Sequence, residues 1–326
     1  MDTRSNETQM QSKLTDVPGI LVGHWTDLQA GTGCTVVLGP EEGMRGAAYV
    51  RGRATGTREL NILSPRHSTS RLHALMLTGG SVYGLGAADG IMRWLAERGR
   101  GFDVGVGVVP IIPAAVILDL AFGEFSWPSP DDAYAACEGA GIEFEEGSVG
   151  AGTGATVGKV LGARGMMKGG IGTWAETRGD VVVGAIAVVN ALGDVRDAEG
   201  KIIAGARGPE GFVDARRYLA NGGARGGRFS REGANTTLVV VATNTNETRL
   251  ELYSVAQMAA DAMGKRITPV GTAFDGDIVF AISTGDVVPA NPVQVEMLAQ
   301  DATAIAIERA VTQAVGTADV PGLKGK

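Results

Sequence analysis

Cysteine, histidine and aromatic residues are all scarce in this sequence of 326 residues. It has two Cys, three His and 5% aromatic residues. Cys34 and Cys137 are too few for a disulfide scaffold and fit no zinc-binding spacing, so we expect both to be small buried apolar residues. Because the histidines form no H-x-x-x-H or H-E-x-x-H pair, the sequence predicts no metal centre built on histidine. Metal binding by carboxylates alone stays open without a supporting pattern, and we expect no metal and no cofactor.

Long apolar runs and an excess of positive charge are also missing. No segment reaches 18 uninterrupted apolar residues, and the first residues, MDTRSNETQMQSK, lack the apolar stretch of a signal peptide. The net charge of −7 disfavours a nucleic acid or an anionic membrane as the main partner. We therefore expect a cytoplasmic protein that acts on small molecules or peptides.

Glycine, by contrast, is abundant. The chain has 50 Gly and a hydrophobic fraction of 44%, without a collagen-like period, so the sequence predicts a globular protein that buries a core as a single domain. The glycines concentrate at residues 79–80, at residues 147–172 and in the arm before Asn235. Such positions allow a backbone to approach a ligand closely or to bend sharply.

Short β-branched runs and helical patterns follow one another along the chain without regular βαβ spacing. This order favours a layered α+β sandwich over a doubly wound sheet. Six arginines and little apolar periodicity predict a mobile loop over residues 204–234. Strands are predicted at 19–25, 34–38, 47–50, 181–190, 234–243 and 273–282, an extended buried segment at 108–120, and helices at 81–98, 131–139, 247–265 and 292–315.

A glycine-rich segment at residues 152–158 (GTGATVG) is a weak candidate for nucleotide binding. A dinucleotide fingerprint needs a helix directly after the loop, and the following GKVLGARG has too many glycines to form one. No P-loop pattern can be written through Lys159 either. A non-catalytic nucleotide- or metabolite-binding protein built on this loop is one alternative.

The junction at Asn235-Thr236 is a second candidate, because a hydroxyl residue begins a core strand directly after a predicted loop. In an N-terminal-nucleophile enzyme, the Thr236 hydroxyl would attack the Asn235 carbonyl carbon. The α-amine released there would have a reference pKa of roughly 7.7 to 8 and could serve as the base for the hydroxyl. The alternative is an ordinary strand entry, with Asn235 capping a turn.

Other polar residues interrupt apolar surroundings. Asp275 and Asp277 flank one glycine in a predicted strand, where they either orient a reacting group or form a solvated turn. Asn190 closes an apolar run and either donates its amide to an oxyanion or ends the strand. Lys159 and Lys168 are either active-site cations or solvated loop residues. The Gly79-Gly80 pair before a helix either binds an anion or carbonyl oxygen or serves packing.

Seven segments in order along nearly the whole chain resemble the L-aminopeptidase/D-esterase (DmpA-type) family. This family includes β-aminopeptidases, a pantetheine-cleaving member and the nylon 6-aminohexanoate oligomer hydrolase. The matching segments are residues 14–20 (LTDVPGI), 22–24 (VGH), 79–85 (GGSVYGL), 168–173 (KGGIGT), 188–190 (VVN), 235–238 (NTTL) and 275–277 (DGD).

The resemblance implies an αββα sandwich that cuts itself between Asn235 and Thr236 into chains 1–235 and 236–326, which stay associated. Thr236 would then be the nucleophile and Asn190 the oxyanion-hole residue. The resemblance further implies that Asp275 and Asp277 orient the Thr236 amine and hydroxyl, that Lys159 matches the lysine of the nylon-oligomer branch, and that the cleaved pairs assemble as a homotetramer.

The same resemblance implies an amide hydrolase for small peptide or peptide-like substrates that carry an amine. Gly79, Gly80 and Ser81 would form a wall of the substrate pocket. Leu118 stands where several relatives have Tyr, so the sequence leaves the substrate open among α-peptides, β-peptides, pantetheine-like amides and ω-amino acid oligomers. An acyltransferase of the ornithine-acetyltransferase kind is the nearest alternative, because it shares this fold and also cuts itself before a Thr.

Overall fold

The computed structural model describes residues 12–224, 235–291, 293–317 and 319–325. Most of the β-branched runs form strands, because branched side chains pack well on a pleated surface. In chain order the strands are β1 (Leu21–Asp27), β2 (Thr32–Leu38), β3 (Arg45–Val50), β4 (Thr57–Arg58), β5 (Ala74–Thr78), β6 (Phe102–Asp103), β7 (Val108–Val109), β8 (Ala114–Val116), β9 (Thr156–Val157), β10 (Met167–Lys168), β11 (Gly170–Arg178), β12 (Val181–Asn190), β13 (Asp194–Arg196), β14 (Ile202–Ala204), β15 (Arg207–Gly208), β16 (Gly211–Phe212), β17 (Thr236–Thr245), β18 (Ile267–Thr268) and β19 (Ile278–Val287).

Capping residues mark where the helices begin. Ser129 accepts the amide of Asp132 at the start of one helix, and Thr248 accepts the amide of Glu251 at the start of another. Each pair is a reciprocal capping box, which satisfies amides that have no partner within the helix. The α-helices are α1 (Ala88–Glu97), α2 (Pro130–Glu138), α3 (Ala215–Ala220), α4 (Arg249–Arg266) and α5 (Gln294–Thr312).

Two five-stranded sheets form the centre of the fold. The first has the order β1-β2-β5-β8-β4 and the second the order β11-β12-β17-β19-β3. Neighbouring strands are antiparallel except β5 with β8 and β17 with β19, which are parallel. The parallel pair β17 and β19 is joined through α4, as a parallel connection requires a crossover.

Alternation along the strands assigns the side chains to layers. In β17, Leu238 and Val240 pack between the two sheets, whereas Val239 and Val241 face α4 and α5. The first sheet likewise buries its other face against α1 and α2. A strand directs successive side chains to opposite faces, so two such sheets bury three apolar layers. The fold is an α+β sandwich with the layers α/β/β/α, as predicted.

Most of the elements predicted from the sequence are confirmed, and two predictions are wrong. Residues 207–220 form β15, β16 and α3 rather than an unstructured loop; residues 225–234 lie outside the described residues. The last predicted strand begins at Ile278 rather than at 273, so the two aspartates before it lie outside the regular strand. Cys34 and Cys137 are buried against α1 and α2, as expected. Within the described residues, no helix is long and apolar enough to cross a membrane.

Candidate active site

Three strand ends meet at one edge of the second sheet. Because β12 and β17 are antiparallel, Asn190 at the end of β12 lies opposite Thr236 at the start of β17. Because β19 is parallel to β17, the segment before β19 reaches the same edge, where Asp275 pairs with Asn235. The strand register alone therefore brings together residues that are 85 positions apart in the sequence.

The first sheet supplies the facing wall of a small pocket. Since β5 and β8 are parallel, the segments that follow them leave the sheet at the same edge. A pocket of about 170 Å³ lies between these segments and Thr236. Of the four residues predicted for substrate binding, Ser81 and Leu118 line it, whereas Gly79 and Gly80 are not among its lining residues. These lining residues are Ala54, Thr55, Gly56, Ser81, Val82, Val116, Leu118 and Thr236.

The peptide bond between Asn235 and Thr236 is buried, with 0% and 3% of the two residues exposed. Its carbonyl oxygen accepts two hydrogen bonds, one from the Thr236 hydroxyl at 2.7 Å and one from the Gly276 amide at 2.7 Å. Two donors on one carbonyl oxygen withdraw electrons from the carbonyl carbon. The sequence does not predict this contact of Gly276, although its place between two aspartates is a signal.

The Asn235 side chain is itself under-satisfied. Neither its Nδ2 nor its Oδ1 has a hydrogen-bond partner among the described residues, although both atoms are buried. An unpaired buried polar atom costs about 1–3 kcal/mol. Such exceptions are rare in folded proteins. The side chain that precedes the junction is therefore not fixed by hydrogen bonds to the described residues.

The orientation of the Asn190 amide is fixed by its partners. Its Oδ1 accepts from the Lys159 ammonium at 2.6 Å and from the Thr156 amide at 3.1 Å. Its Nδ2 consequently points the other way and donates to the Leu118 carbonyl at 3.3 Å. Leu118 lines the pocket. The amide hydrogens of Asn190 are thus directed toward the pocket wall beside Thr236.

Asp275 and Asp277 lie in the irregular segment between Asn235 and β19. Asp277 accepts from the amides of Thr237 and Gly271 at 2.7 and 2.9 Å. Burial and the neighbouring Asp275 raise the pKa of Asp277 to about 7. The aspartates are 2% and 1% exposed, so the alternative of a solvated turn is wrong.

Two lysines are buried beside this site. Lys159 and Lys168 are each 1% exposed, so neither is a solvated loop residue. Burial lowers the pKa of each to about 7, while the negative charge of Asp119 opposes this shift in both. Lys159 also donates to the main-chain oxygen of Asn190 at 2.9 Å. Lys159 thereby binds both the side chain and the backbone of Asn190.

The buried lysines predict a dependence of stability on pH. An ordinary lysine titrates near 10.5, whereas Lys168 in the folded protein titrates near 7. Between these values the unfolded state binds more protons, so this group makes the free energy of unfolding rise with pH. We expect Lys168→Met to reduce that slope by as much as about 1.4 kcal/mol per pH unit.

Denaturant unfolding at several pH values between 7 and 10.5 measures this slope. Lys201→Met is the control, because Lys201 is exposed and its loss is expected to leave the slope unchanged. Equal slopes for Lys168→Met and the wild type would contradict the lowered pKa of Lys168.

The glycine-rich segment 152–158 contributes to this site by its backbone. It contains β9, and only a three-residue 3₁₀ turn follows, Lys159–Leu161, in place of the helix that a dinucleotide loop requires. The Thr156 amide in β9 binds Asn190. The segment therefore supports the Asn190 amide, and its geometry gives no support to a nucleotide loop.

Comparison with known sequences identifies the family of this chain. The sequence model of peptidase family S58 matches residues 12–326. The chain belongs to peptidase family S58. An uncharacterized aminopeptidase from Mycobacterium tuberculosis is 40% identical over 296 residues, which cover 85% of this chain and 82% of that protein. A 6-aminohexanoate-oligomer endohydrolase from Kocuria sp. is 31% identical over 282 residues, covering 85% of this chain and 76% of that protein.

Solved structures of two aminopeptidases share the fold. A β-aminopeptidase from Burkholderia sp. superimposes with a TM-score of 0.70 at 19% identity, covering 96% of this chain and 90% of that one. The L-aminopeptidase D-Ala-esterase/amidase from Ochrobactrum anthropi, described as a variant of the Ntn hydrolase fold, gives 0.71 at 19% identity over 93% and 86% of the two chains. This S58 peptidase therefore has an Ntn-hydrolase type of fold.

Proposed function

We propose that the chain cuts itself between Asn235 and Thr236 and then hydrolyses amide bonds through Thr236. The observation that carries this proposal is the pair of hydrogen bonds on the Asn235 carbonyl oxygen, from Thr236 and Gly276. They place the hydroxyl nucleophile and an amide hydrogen-bond donor on the same scissile carbonyl group. Self-cleavage by an adjacent hydroxyl requires both.

Self-cleavage proceeds in two steps. The Thr236 Oγ1 attacks the Asn235 carbonyl carbon, the carbon–nitrogen bond breaks, and the nitrogen takes the proton lost by the hydroxyl to become the α-amine of Thr236. The ester that now joins Asn235 to Oγ1 is hydrolysed by water, which leaves a carboxylate on Asn235 and restores the hydroxyl. During attack the Gly276 amide stabilises the negative charge on the carbonyl oxygen, as an oxyanion hole does.

Substrate hydrolysis then repeats the same chemistry on an external amide. The free amine of Thr236 takes the hydroxyl proton, Oγ1 attacks the substrate carbonyl, and the amine product leaves with that proton. The Nδ2 of Asn190, directed toward the pocket, donates to the developing oxyanion. Water then releases the acyl group. Lys159 supports this step by holding the Oδ1 of Asn190.

The substrate class follows from the pocket and the relatives together. The pocket of about 170 Å³ fits a small group beside the scissile carbonyl. Relatives carry the names uncharacterized aminopeptidase and 6-aminohexanoate-oligomer endohydrolase, and both names refer to substrates that contain an amine and an amide bond. We propose short amine-bearing peptides or peptide-like amides as substrates, with Ser81 and Leu118 against the bound acyl group.

Gly276→Ala tests the arrangement on the scissile carbonyl. A Cβ at this position would lie 2.7 Å from the Thr236 Oγ1 and 2.8 Å from the Ala54 carbonyl oxygen, so the hydroxyl or the backbone must move. A displacement of about 1 Å from the reacting geometry costs roughly 100-fold in rate. We expect self-cleavage of Gly276→Ala to slow by about that factor, measured as the fraction of uncut chain over time on a denaturing gel.

Gly264→Ala is the matched control, because a Cβ at this position in α4 meets only one side-chain atom at 3.4 Å. It is expected to cut itself at the wild-type rate. If folded Gly276→Ala cuts itself as fast as Gly264→Ala, the Thr236 hydroxyl does not act from the position described above.

A further inference from the structure

A buried carboxylate stands directly behind the pocket wall. Asp119 follows the pocket residue Leu118 and is 4% exposed. Its Oδ1 accepts the Gly80 amide at 2.6 Å and its Oδ2 accepts the Thr32 hydroxyl at 2.9 Å. One donor thus comes from the start of β2 and the other from the turn that follows β5.

The turn that Asp119 holds has an unfavourable backbone conformation. Gly80 has a φ of +78° and Ser81 a φ of +53°, and Ser81 is not a glycine. Such a conformation costs about 1–3 kcal/mol and persists only where the surroundings fix it. Two contacts fix it here, the Gly80 amide on Asp119 and the Ser81 amide on the Ile117 carbonyl at 3.0 Å. The turn places Ser81 and Val82 on the pocket that contains Thr236.

Glycine backbone encloses the carboxylate on two sides. A Cβ on Gly79 would overlap the Oδ2 of Asp119, and a Cβ on Gly154 would lie 2.7 Å from the same oxygen. The close approach that glycine allows at residue 79 therefore serves Asp119. This explains why Gly79 belongs to the segment 79–85 although it does not line the pocket.

A positive charge balances the carboxylate in this buried position. The Lys168 ammonium donates to the carbonyl oxygens of Thr153 and Ala155 at 2.6 and 2.9 Å and lies 4.3 Å above the ring centre of Phe122. Its charge acts on Asp119 against the effect of burial, which still raises the pKa of Asp119 to about 6. The hydrogen bonds from Gly80 and Thr32 and the charge of Lys168 all favour the charged form of Asp119 and offset part of the cost of its burial.

We propose that Asp119 is a positioning residue of the hydrolase, because its carboxylate fixes the Gly80-Ser81 turn and so aligns a substrate carbonyl with Thr236. The inference rests on the proposed function, in which Thr236 is the nucleophile. Asp119 itself does not line the pocket. Its loss is therefore expected to reduce the turnover of bound substrate more than the binding of substrate.

The test compares two buried aspartates. Asp194 is 0% exposed and accepts the amides of Ala206 and Ala215 at 2.8 and 2.6 Å, and neither partner lines the pocket. We expect Asp119→Ala to lower kcat per folded molecule by about 100-fold with a much smaller change in KM. Asp194→Ala is expected to lose stability with an unchanged kcat per folded molecule.

Two milder variants separate an effect on substrate alignment from an effect on folding. Asp119→Asn keeps an acceptor for the Gly80 amide and a donor for the Thr32 hydroxyl, so we expect it to recover most of the kcat lost in Asp119→Ala. Thr32→Val removes one of the two donors and is expected to lower kcat by about tenfold, as the loss of one hydrogen bond does. The folded fraction of each variant is measured by circular dichroism and the kinetics with a short amine-bearing anilide.

The outcomes are distinct. Equal kcat per folded molecule in Asp119→Ala and Asp194→Ala overturns the inference while the proposed function stands. If Asp119→Ala does not fold, wild-type kcat in Thr32→Val overturns the inference in the same way. If the wild-type protein neither cuts itself nor hydrolyses amides, the proposed function is wrong, and this inference is wrong as well.

Discussion

Thr236→Val is expected to remain an uncut chain and to lose amide hydrolysis by a factor on the order of 10⁶ in kcat, as the loss of a hydroxyl nucleophile does in hydrolases. Valine keeps the branched shape that suits the start of β17, where Thr236 is 3% exposed. The substitution therefore removes the Oγ1 that bonds the Asn235 carbonyl with little change in packing. The uncut chain is measured by mass and the activity with a short amine-bearing anilide.

Thr236→Ser is the matched variant, because it keeps the hydroxyl and removes a methyl group. We expect it to cut itself and to hydrolyse the same substrate. Self-cleavage at wild-type speed in Thr236→Val, or hydrolysis by that variant, would assign the nucleophile to another residue. If Thr236→Ser folds but neither cuts itself nor hydrolyses the substrate, a hydroxyl at this position is not sufficient, and the proposed role of Thr236 is incomplete.

Asn190→Ala is expected to lower kcat for amide hydrolysis by about 10² to 10³, the usual cost of one oxyanion-hole donor. The Nδ2 of Asn190 points toward Leu118 in the pocket wall because Lys159 and Thr156 hold the Oδ1 on the other side. The substitution removes the donor and also leaves the buried Lys159 with one fewer acceptor. A decrease in stability is therefore expected beside the loss of rate.

Asn244 near the other end of β17 provides the control. It is also a buried asparagine, which accepts the Val182 amide at 2.9 Å and donates to the Asp180 carbonyl at 2.8 Å. Asn244→Ala is expected to lose stability and to keep its kcat per folded molecule. If the two variants have the same kcat per folded molecule, Asn190 supports the sheet and not the oxyanion.

The strands at the centre of the second sheet can be predicted from local sequence, because each corresponds to a continuous apolar run. β12 coincides with the apolar run at residues 181–190, where every residue except Val182 is buried. A strand buried on both faces shows no polar interruption, and so its limits are visible in the sequence. The same reasoning marks Asn190 and Thr236 as polar residues at the ends of such runs, and only the resemblance to a family gives them catalytic roles.

The strand that begins at Ile278 shows where this reasoning fails. Asp275 and Asp277 belong to an apolar pattern, but their segment leaves the regular strand to pair with residues 51–54. The amides of Arg51 and Gly52 bind the Asp277 carbonyl, and those of Arg53 and Ala54 bind the Asp275 carbonyl. These bonds come from a distant part of the chain, so no local pattern contains them.

The proposed role of Asp119 cannot be predicted from local sequence for a similar reason. In the sequence it is one aspartate after an apolar run, and its hydrogen-bond donors lie 87 and 39 positions away. The resemblance to a family indicated the residues around the pocket, Ser81 and Leu118 among them. The residues that hold the pocket in shape appear only once the strands are paired.

The most direct test of the central claim is the mass of the purified wild-type protein under denaturing conditions, followed over time. Cleavage between Asn235 and Thr236 predicts two chains, residues 1–235 and 236–326, and the smaller one begins with the free amine of Thr236. A single chain of 33.5 kDa after long incubation, or a cut at any other bond, would contradict the account.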